Sequence, residues 1–176
     1  MRVLIVGSTH GKVNESMRDA FIEACRELGA ALARARVEIV IGSDSVDTAD
    51  RYVLEGVATV EGQHRVWILR PDSEETPFAE QTAALGKRVE FIYKRLRGPW
   101  SAGRVPQIQA ADAVLLIGGA GGTLTSGYVA PALERPVLAI ASFGGAAAEL
   151  WPHLEPYYNR LGELSHRVGN LGSTDK

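Results

Sequence analysis

The sequence has little that would tie it to a membrane, an oxidising compartment or nucleic acid. Its 176 residues include one cysteine, Cys25, so no internal disulfide can form. No apolar run approaches the roughly 20 residues of a membrane-spanning helix, and the first residues lack the cleavage site of a secretory signal. The formal net charge of −2 argues against nucleic acid or an anionic membrane as a partner. We therefore expect a cytoplasmic protein.

Metal-ligand spacing is also missing. Cys25 has no companion cysteine, and no two of the four histidines have zinc-ligand spacing, so we predict neither a metal site nor a cofactor. Cys25 falls on the apolar face of a predicted helix and is interpreted as core filling. The composition, 45% apolar and 23% charged, is that of an ordinary globular domain.

Short apolar runs alternate with helical patterns from end to end. Between Met17 and Leu32 the apolar residues follow helical spacing over about five turns. Alternation of this kind predicts an α/β fold, a three-layer Rossmann-like, doubly wound and mostly parallel sheet. We expect a single domain over 1–168 and a flexible tail over 169–176. The predicted strands are Val3–Val6, Val37–Ile41, Arg65–Leu69, Arg88–Tyr93, Val114–Ile117 and Pro136–Ile140.

The fifth of these strands leads into a run of glycines and hydroxyls, Gly118–Gly127. Glycines let the backbone turn sharply and approach a ligand closely. A helix that starts behind such a turn offers free N–H groups and the positive end of its dipole to an anion, usually phosphate. The run is neither the G-x-G-x-x-G dinucleotide pattern nor a Walker A loop, since no lysine follows. The alternative is a glycine turn without a ligand.

Three other predicted loops share this composition. In a doubly wound sheet the loops after the strands meet at the carboxyl edge, where ligands bind. Several small, hydroxyl-rich loops on one edge favour a binding site over a plain scaffold. The four loops are Gly7–Gly11, Gly42–Ser45, Gly118–Ser126 and Ser142–Gly145.

The stretch Asp112–Ala147, together with the opening Leu4–Thr9, resembles the SLOG superfamily. That superfamily includes the LOG-type cytokinin-activating phosphoribohydrolases and nucleotide-sensing domains of bacterial anti-phage systems. The segment Ser142–Ala147 looks closer to the sensing branch. The resemblance implies a Rossmann-like nucleotide-binding domain and a homodimer.

The chain departs from the hydrolases at the residue that matters most for cleavage. LOG hydrolases carry G-G-x-G-T-x-x-E, and the more distantly similar nucleoside deoxyribosyltransferases carry G-T-x-x-E-G. Every alignment of Gly118–Gly127 places Thr125 or Ser126 at the glutamate. A hydroxyl does not replace a carboxylate at an oxocarbenium-like centre, but it donates to a phosphate without repulsion. The loop is therefore interpreted as an anion cradle, and no catalytic residue is assigned.

Other side chains complete the predicted site. By resemblance, an arginine upstream of the glycine motif reaches the phosphate; Arg104 or Arg97 fits this role, and the alternative is a solvated basic loop from Arg95 onwards. His10, Trp100 and Phe143 are weighed as ligand contacts against ordinary loop or core roles. The predicted ligand-binding residues are Gly7, Ser8, Thr9, Gly118, Gly119, Gly121, Gly122, Thr123, Thr125, Ser126, Ser142, Gly144 and Arg104.

Three functional hypotheses follow from these residues. The first is a protein that binds a phosphorylated nucleoside-derived ligand such as ADP-ribose, a cyclic relative or a nucleoside monophosphate. The second is a phosphoribohydrolase or N-glycosidase, for which Glu55 or Glu90 would supply the missing acid. The third is a module that acts by dimerisation alone.

Overall fold

A computed structural model describes residues 1–10, 15–71, 78–85 and 88–159. The predicted domain end at 168 and the tail 169–176 lie outside the described residues, as does Gly11 of the first predicted loop. Within the described part, no helix has both the length and the apolar composition needed to cross a bilayer.

Six strands and six α-helices alternate along the described part of the chain. The strands are β1 (Arg2–Ser8), β2 (Glu38–Ile41), β3 (His64–Pro71), β4 (Val89–Leu96), β5 (Ala113–Gly118) and β6 (Val137–Ile140). The helices are α1 (Arg18–Arg34), α2 (Ala49–Ala58), α3 (Ala79–Leu85), α4 (Trp100–Gln109), α5 (Gly121–Ala132) and α6 (Gly145–Asn159).

The strands form one all-parallel sheet in the order β4-β3-β2-β1-β5-β6. From β1 the chain builds outward through β2 to β4 and then returns to the other side of β1 as β5. The strand order reverses between β1 and β5, where Ser8 pairs with Gly118 at the carboxyl ends. The predicted single-domain, doubly wound α/β fold is confirmed.

Alternate residues of the central strands bury against different helices. Val3 and Ile5 of β1 belong to the core that also contains residues of α1 and α2, whereas Leu4 and Val6 belong to the core under α4, α5 and α6. Successive strand side chains point to opposite faces, which is why one apolar run serves two cores. Cys25 is fully buried in the first core. Burial and the nearby Asp50 carboxylate raise the pKa of this thiol, so it stays protonated and fills space.

Helices α1 and α2 cross with their backbones in close contact. A Cβ atom built on Gly29 of α1 would lie 1.9 Å from the carbonyl oxygen of Val53, and one built on Gly56 of α2 would lie 1.9 Å from that of Arg26. Each glycine therefore makes room for the main chain of the other helix. This crossing fixes α2, whose first turn carries part of the site described below.

The sequence predicts an irregular basic segment over Arg95–Arg104 and a short helix over Val105–Ala111, and the first of these predictions is wrong. Strand β4 continues through Leu96, and α4 begins at Trp100 with Pro99 at its N-cap. Gly103 and Pro106 inside α4 argue locally against a helix. Packing overrides this preference: Gly103 is buried, and a Cβ atom placed on it would lie 3.5 Å from Leu96 Cδ1 and 3.8 Å from the Pro71 ring.

Candidate functional site

A cavity of about 570 Å³ opens at the carboxyl edge of the sheet, beside the point where the strand order reverses. Residues from the ends of β1 and β2 and from the first turns of α2 and α5 line it, together with one side chain of α4. The lining residues are Val6, Gly7, Ser8, His10, Ser43, Ser45, Thr48, Asp50, Arg104, Ala120, Gly122 and Thr123.

The floor of the cavity is the glycine turn between β5 and α5. Gly118 and Gly119 have φ values of 56° and 84°, a backbone conformation that favours glycine. The N–H of Gly119 donates to the Ser8 carbonyl at 2.8 Å, which joins this turn to the end of β1. Helix α5 then starts at Gly121. The Thr123 N–H donates to the Ala120 carbonyl at 2.9 Å, whereas the N–H groups of Gly121 and Gly122 precede the first intrahelical hydrogen bond, so this helix end can bind an anion.

Arg104 lies beside this helix end. A Cβ atom built on Gly122 would be 3.0 Å from the Arg104 Nη2 atom, so the guanidinium occupies the space next to the first turn of α5. Its Nη1 donates to Gln107 Oε1 at 3.0 Å, and the fully buried Gln107 donates to the Leu69 carbonyl at 2.6 Å. These bonds anchor a half-buried cation. Burial lowers the pKa of Arg104, but a guanidinium remains charged in proteins.

The wall opposite is built by the loop between β2 and α2. Asp50 of α2 is only 6% exposed, and its Oδ2 accepts hydrogen bonds from the N–H groups of Gly42 and Ser43, both at 2.8 Å. Thr48 donates to the Ser45 carbonyl at 2.8 Å. The Asp50 carboxyl and the Thr48 hydroxyl thus hold this loop against the first turn of α2.

Burial raises the pKa of Asp50 from its ordinary 3.8 to about 6, although the two backbone N–H groups and Arg104 act in the opposite direction. Between about pH 4 and pH 6, Asp50 is therefore protonated in the folded protein and ionised in the unfolded chain. The stability that this proton contributes is present below about pH 4 and is lost as the pH rises through about 6.

We expect the unfolding free energy of the unaltered protein to fall, relative to Asp50→Asn, by on the order of 3 kcal/mol between about pH 4 and pH 7. Asparagine keeps an oxygen for the two N–H groups but does not titrate, and all other ionisable groups are common to both proteins. Urea unfolding at several pH values measures the difference. Parallel curves for the two proteins would show that Asp50 does not titrate in this range.

The loops after β1 and β2 meet at the rim of the cavity. The N–H of Thr9 donates to the Asp47 carbonyl at 2.8 Å, and Ser8 forms an antiparallel bridge with Thr48. The Asp47 carboxylate accepts a hydrogen bond from Arg18 at 3.1 Å and lies 3.7 Å from the exposed His10 ring. His10, weighed as a ligand contact from the sequence, is thus placed at this rim.

Five of the predicted ligand-binding residues line the cavity. These are Gly7, Ser8, Gly122, Thr123 and Arg104. Gly118 and Gly119 form the turn beneath it, and Thr9 joins its rim. Gly121 starts α5, and a Cβ atom built on it would meet no atom within 4 Å.

The other predicted residues lie outside the lining. The hydroxyls of Thr125 and Ser126 donate to carbonyls one turn back in α5, those of Gly121 and Gly122, and Ser126 is fully buried. Ser142 and Gly144 belong to a turn after β6 that packs on the glycine turn, where Ala146 donates to the Gly119 carbonyl. Gly7–Thr9 and Ser142–Gly145 are expected from the sequence to face the glycine turn across the site; Gly7 and Ser8 do line the cavity, but the loop after β2 takes the place of Ser142–Gly145.

The alternative catalytic acids lie elsewhere. Glu55 pairs with Arg26 at 2.9 Å on the outer surface of α1 and α2. Glu90 pairs with Arg65 at 3.0 Å near the amino end of β4, at the opposite edge of the sheet. Phe143 is buried and packs edge-to-face on Phe21 with ring centroids 5.6 Å apart, so it is a core residue.

The sequence alone did not indicate that Asp50 or Gln107 belongs to the site. Asp50 lies in the first turn of a helix, where acidic residues are common and favourable. The one available signal was the loop Gly42–Ser45, which was placed at the correct edge although its residues were not assigned to the site. A buried carboxyl can be inferred only after that loop is folded over α2.

No protein-family model and no functionally curated protein matches the sequence. Among solved structures, the chain is similar to TM1055, a structural genomics target, with a TM-score of 0.66 and 26% identity over 86% of this chain and 80% of that one. The chain has a SLOG-like Rossmann fold. This agrees with the superfamily that the sequence resembles and does not distinguish its branches.

More distant structures share the SLOG-like fold alone. The molybdenum cofactor carrier protein of Chlamydomonas reinhardtii has a TM-score of 0.55 at 14% identity, covering 92% of this chain and 84% of that one. DNA processing protein A of Helicobacter pylori, which binds single-stranded DNA, has a TM-score of 0.60 at 14% identity, covering 97% and 80%. The fold thus serves proteins with different ligands.

Proposed function

We propose that the protein binds a phosphorylated nucleoside-derived ligand, such as ADP-ribose, a cyclic relative or a nucleoside monophosphate. The observation that carries the proposal is the half-buried guanidinium of Arg104 beside the N-terminus of α5, inside a cavity at the switch point of the sheet.

A phosphate group can bind the N-terminus of α5 and the Arg104 guanidinium at the same time. The first N–H groups of α5 and the helix dipole favour an anion, and a guanidinium adds charge-assisted hydrogen bonds to phosphate oxygens. No side chain at Gly122 intervenes between them. The missing LOG-type glutamate fits binding better than cleavage, because the glycine loop then lacks the carboxylate that glycosidic cleavage needs.

The rest of the cavity has room for the nucleoside. Its volume of about 570 Å³ falls within the roughly 300–1,000 Å³ of small-molecule sites. Hydroxyls of Ser8, Ser43 and Ser45 on its walls suit a polyhydroxylated ligand. The molybdenum cofactor carriers named above provide a precedent for a small-molecule ligand on this fold.

A second candidate function is that of a nucleotide N-glycosidase. The observation that favours it is the Asp50 carboxyl in the cavity, since glycosidic cleavage needs a carboxylate near the sugar. Assaying the binding mixtures for free base separates the two functions: a binding protein leaves the ligand intact, whereas an enzyme releases base.

The proposal also covers two kinds of partner, a second copy of this chain and nucleic acid. We expect a homodimer, measurable by sedimentation, and no affinity for nucleic acid. Anisotropy with labelled single-stranded DNA is the direct test of the second point, because a protein with a similar fold binds that polymer.

Arg104→Met should weaken the binding of inorganic phosphate and of AMP by about tenfold to a hundredfold, because charge-assisted hydrogen bonds to an anion are lost. Methionine keeps an apolar stem over the same surface. Isothermal titration of phosphate, AMP and ADP-ribose measures the effect. Arg97→Met is the matched control, since Arg97 is exposed and does not line the cavity. Equal losses in both variants, or no binding to the unaltered protein, would refute the proposal.

A further inference from the structure

The carboxyl group of Asp50 is only partly used by the protein. Its Oδ2 accepts the N–H groups of Gly42 and Ser43, its own backbone N–H also acts on the carboxyl, and no other described residue donates to it. A carboxylate offers about four acceptor positions. Because the residue is only 6% exposed and lines the cavity, the remaining acceptor capacity faces the cavity and is available to a ligand there.

Asp50 and Arg104 face the same cavity without touching. Among the described residues no ion pair joins them, although the guanidinium acts electrostatically on the carboxyl. Each group keeps hydrogen-bonding capacity beyond the bonds described above, and this capacity faces the cavity. A ligand that satisfies both carries an anion at one end, for Arg104, and a hydrogen-bond donor further along, for Asp50.

We propose that Asp50 accepts a hydrogen bond from a sugar hydroxyl of the bound nucleotide, so that the site selects ribonucleotides over sugars without these hydroxyls. This inference rests on the proposed function, which places the phosphate beside Arg104. In a 5′-phosphorylated ribose the ring bears the 2′- and 3′-hydroxyls and the exocyclic C5′ carbon bears the phosphate, so one ligand supplies both groups.

The carboxylate gives this selection its strength. A hydroxyl that donates to an ionised carboxylate forms a short, charge-assisted hydrogen bond, stronger than one to a neutral acceptor. When the hydroxyl is missing, the buried acceptor loses its partner, which is the arrangement that gives binding sites their largest discrimination. The Gly42 and Ser43 N–H groups fix the orientation of the carboxyl before the ligand arrives.

The test compares three probes on two proteins. Inorganic phosphate, AMP and 2′,3′-dideoxyAMP are titrated into the unaltered protein and Asp50→Asn by calorimetry. The buffer is held near pH 8, above the Asp50 pKa of about 6, and contains EDTA to exclude a bridging cation. In the unaltered protein, AMP should bind at least about tenfold more tightly than the dideoxy analogue. In Asp50→Asn this ratio should fall to about threefold or less, while the affinity for phosphate should stay the same or rise, because a negative charge is removed from the cavity.

The outcomes separate the two proposals. Equal affinities of the unaltered protein for AMP and 2′,3′-dideoxyAMP overturn the role of Asp50 and leave phosphate binding intact, even if Asp50→Asn does not fold. A ratio that is unchanged in Asp50→Asn, or AMP binding that requires Mg²⁺, also overturns it. No binding of any of the three probes overturns the proposed function and this inference together.

Discussion

Gly29→Ala should destabilise the protein by about 3 kcal/mol or more, an effect at the upper end for a single added methyl group. The new Cβ atom would lie 1.9 Å from the Val53 carbonyl oxygen and 2.8 Å from its carbon, both main-chain atoms of α2. Main chain cannot rotate aside as a side chain can, so α1 and α2 must separate. Folded domains have only about 5–15 kcal/mol of stability to lose.

The same substitution elsewhere in a helix should have the opposite sign. Gly103→Ala adds a methyl group 3.5 Å from Leu96 Cδ1, an ordinary contact, and helix interiors favour alanine over glycine by up to about 1 kcal/mol. Urea unfolding of both variants measures the contrast. If Gly29→Ala were as stable as Gly103→Ala, the close crossing of α1 and α2 would be wrong, and with it the placement of the Asp50 turn.

The fold was predictable because its signals are local. Runs such as Val3–Val6 and Val114–Ile117 are apolar on both faces, which a strand buried in a parallel sheet requires. Their alternation with helical patterns restricts the topology, and the carboxyl-edge rule then places the loops. The first half of α4 was the exception, since Pro99, Gly103 and Pro106 hide a helix start that tertiary packing stabilises; its second half overlaps the helix predicted over Val105–Ala111.

The site was predictable only in outline, because it depends on directions that composition does not contain. Glycine and hydroxyl content indicated the correct edge of the sheet. It could not reveal that Ser126 turns into the core, that the turn containing Ser142 packs behind the glycine turn, or that Asp50 reaches back to Gly42. Each of these follows from which side of a helix or turn faces the cavity, and a shift of one residue changes it.

Gly121 and Gly122 are the clearest example of side-chain directions that composition does not contain. They are adjacent and identical, yet only Gly122 faces Arg104, with its notional Cβ atom 3.0 Å from Nη2. That of Gly121 points into open space. The space beside Gly122 is where the phosphate would meet both the helix end and the guanidinium, so filling it should abolish binding without disturbing the core.

Gly122→Val should therefore weaken phosphate and AMP binding by about thirtyfold or more, and Gly121→Val by less than about threefold. Both variants keep the two backbone N–H groups, and both replace glycine by the same residue in the first turn of α5, so only the direction of the side chain differs. Arg104 is a flexible side chain that can move away from the valine, and thermal unfolding should leave both variants folded. Calorimetric titration gives the two ratios. A greater loss at Gly121 would place the anion on the outer side of α5, away from Arg104, and the guanidinium would then have no part in binding it.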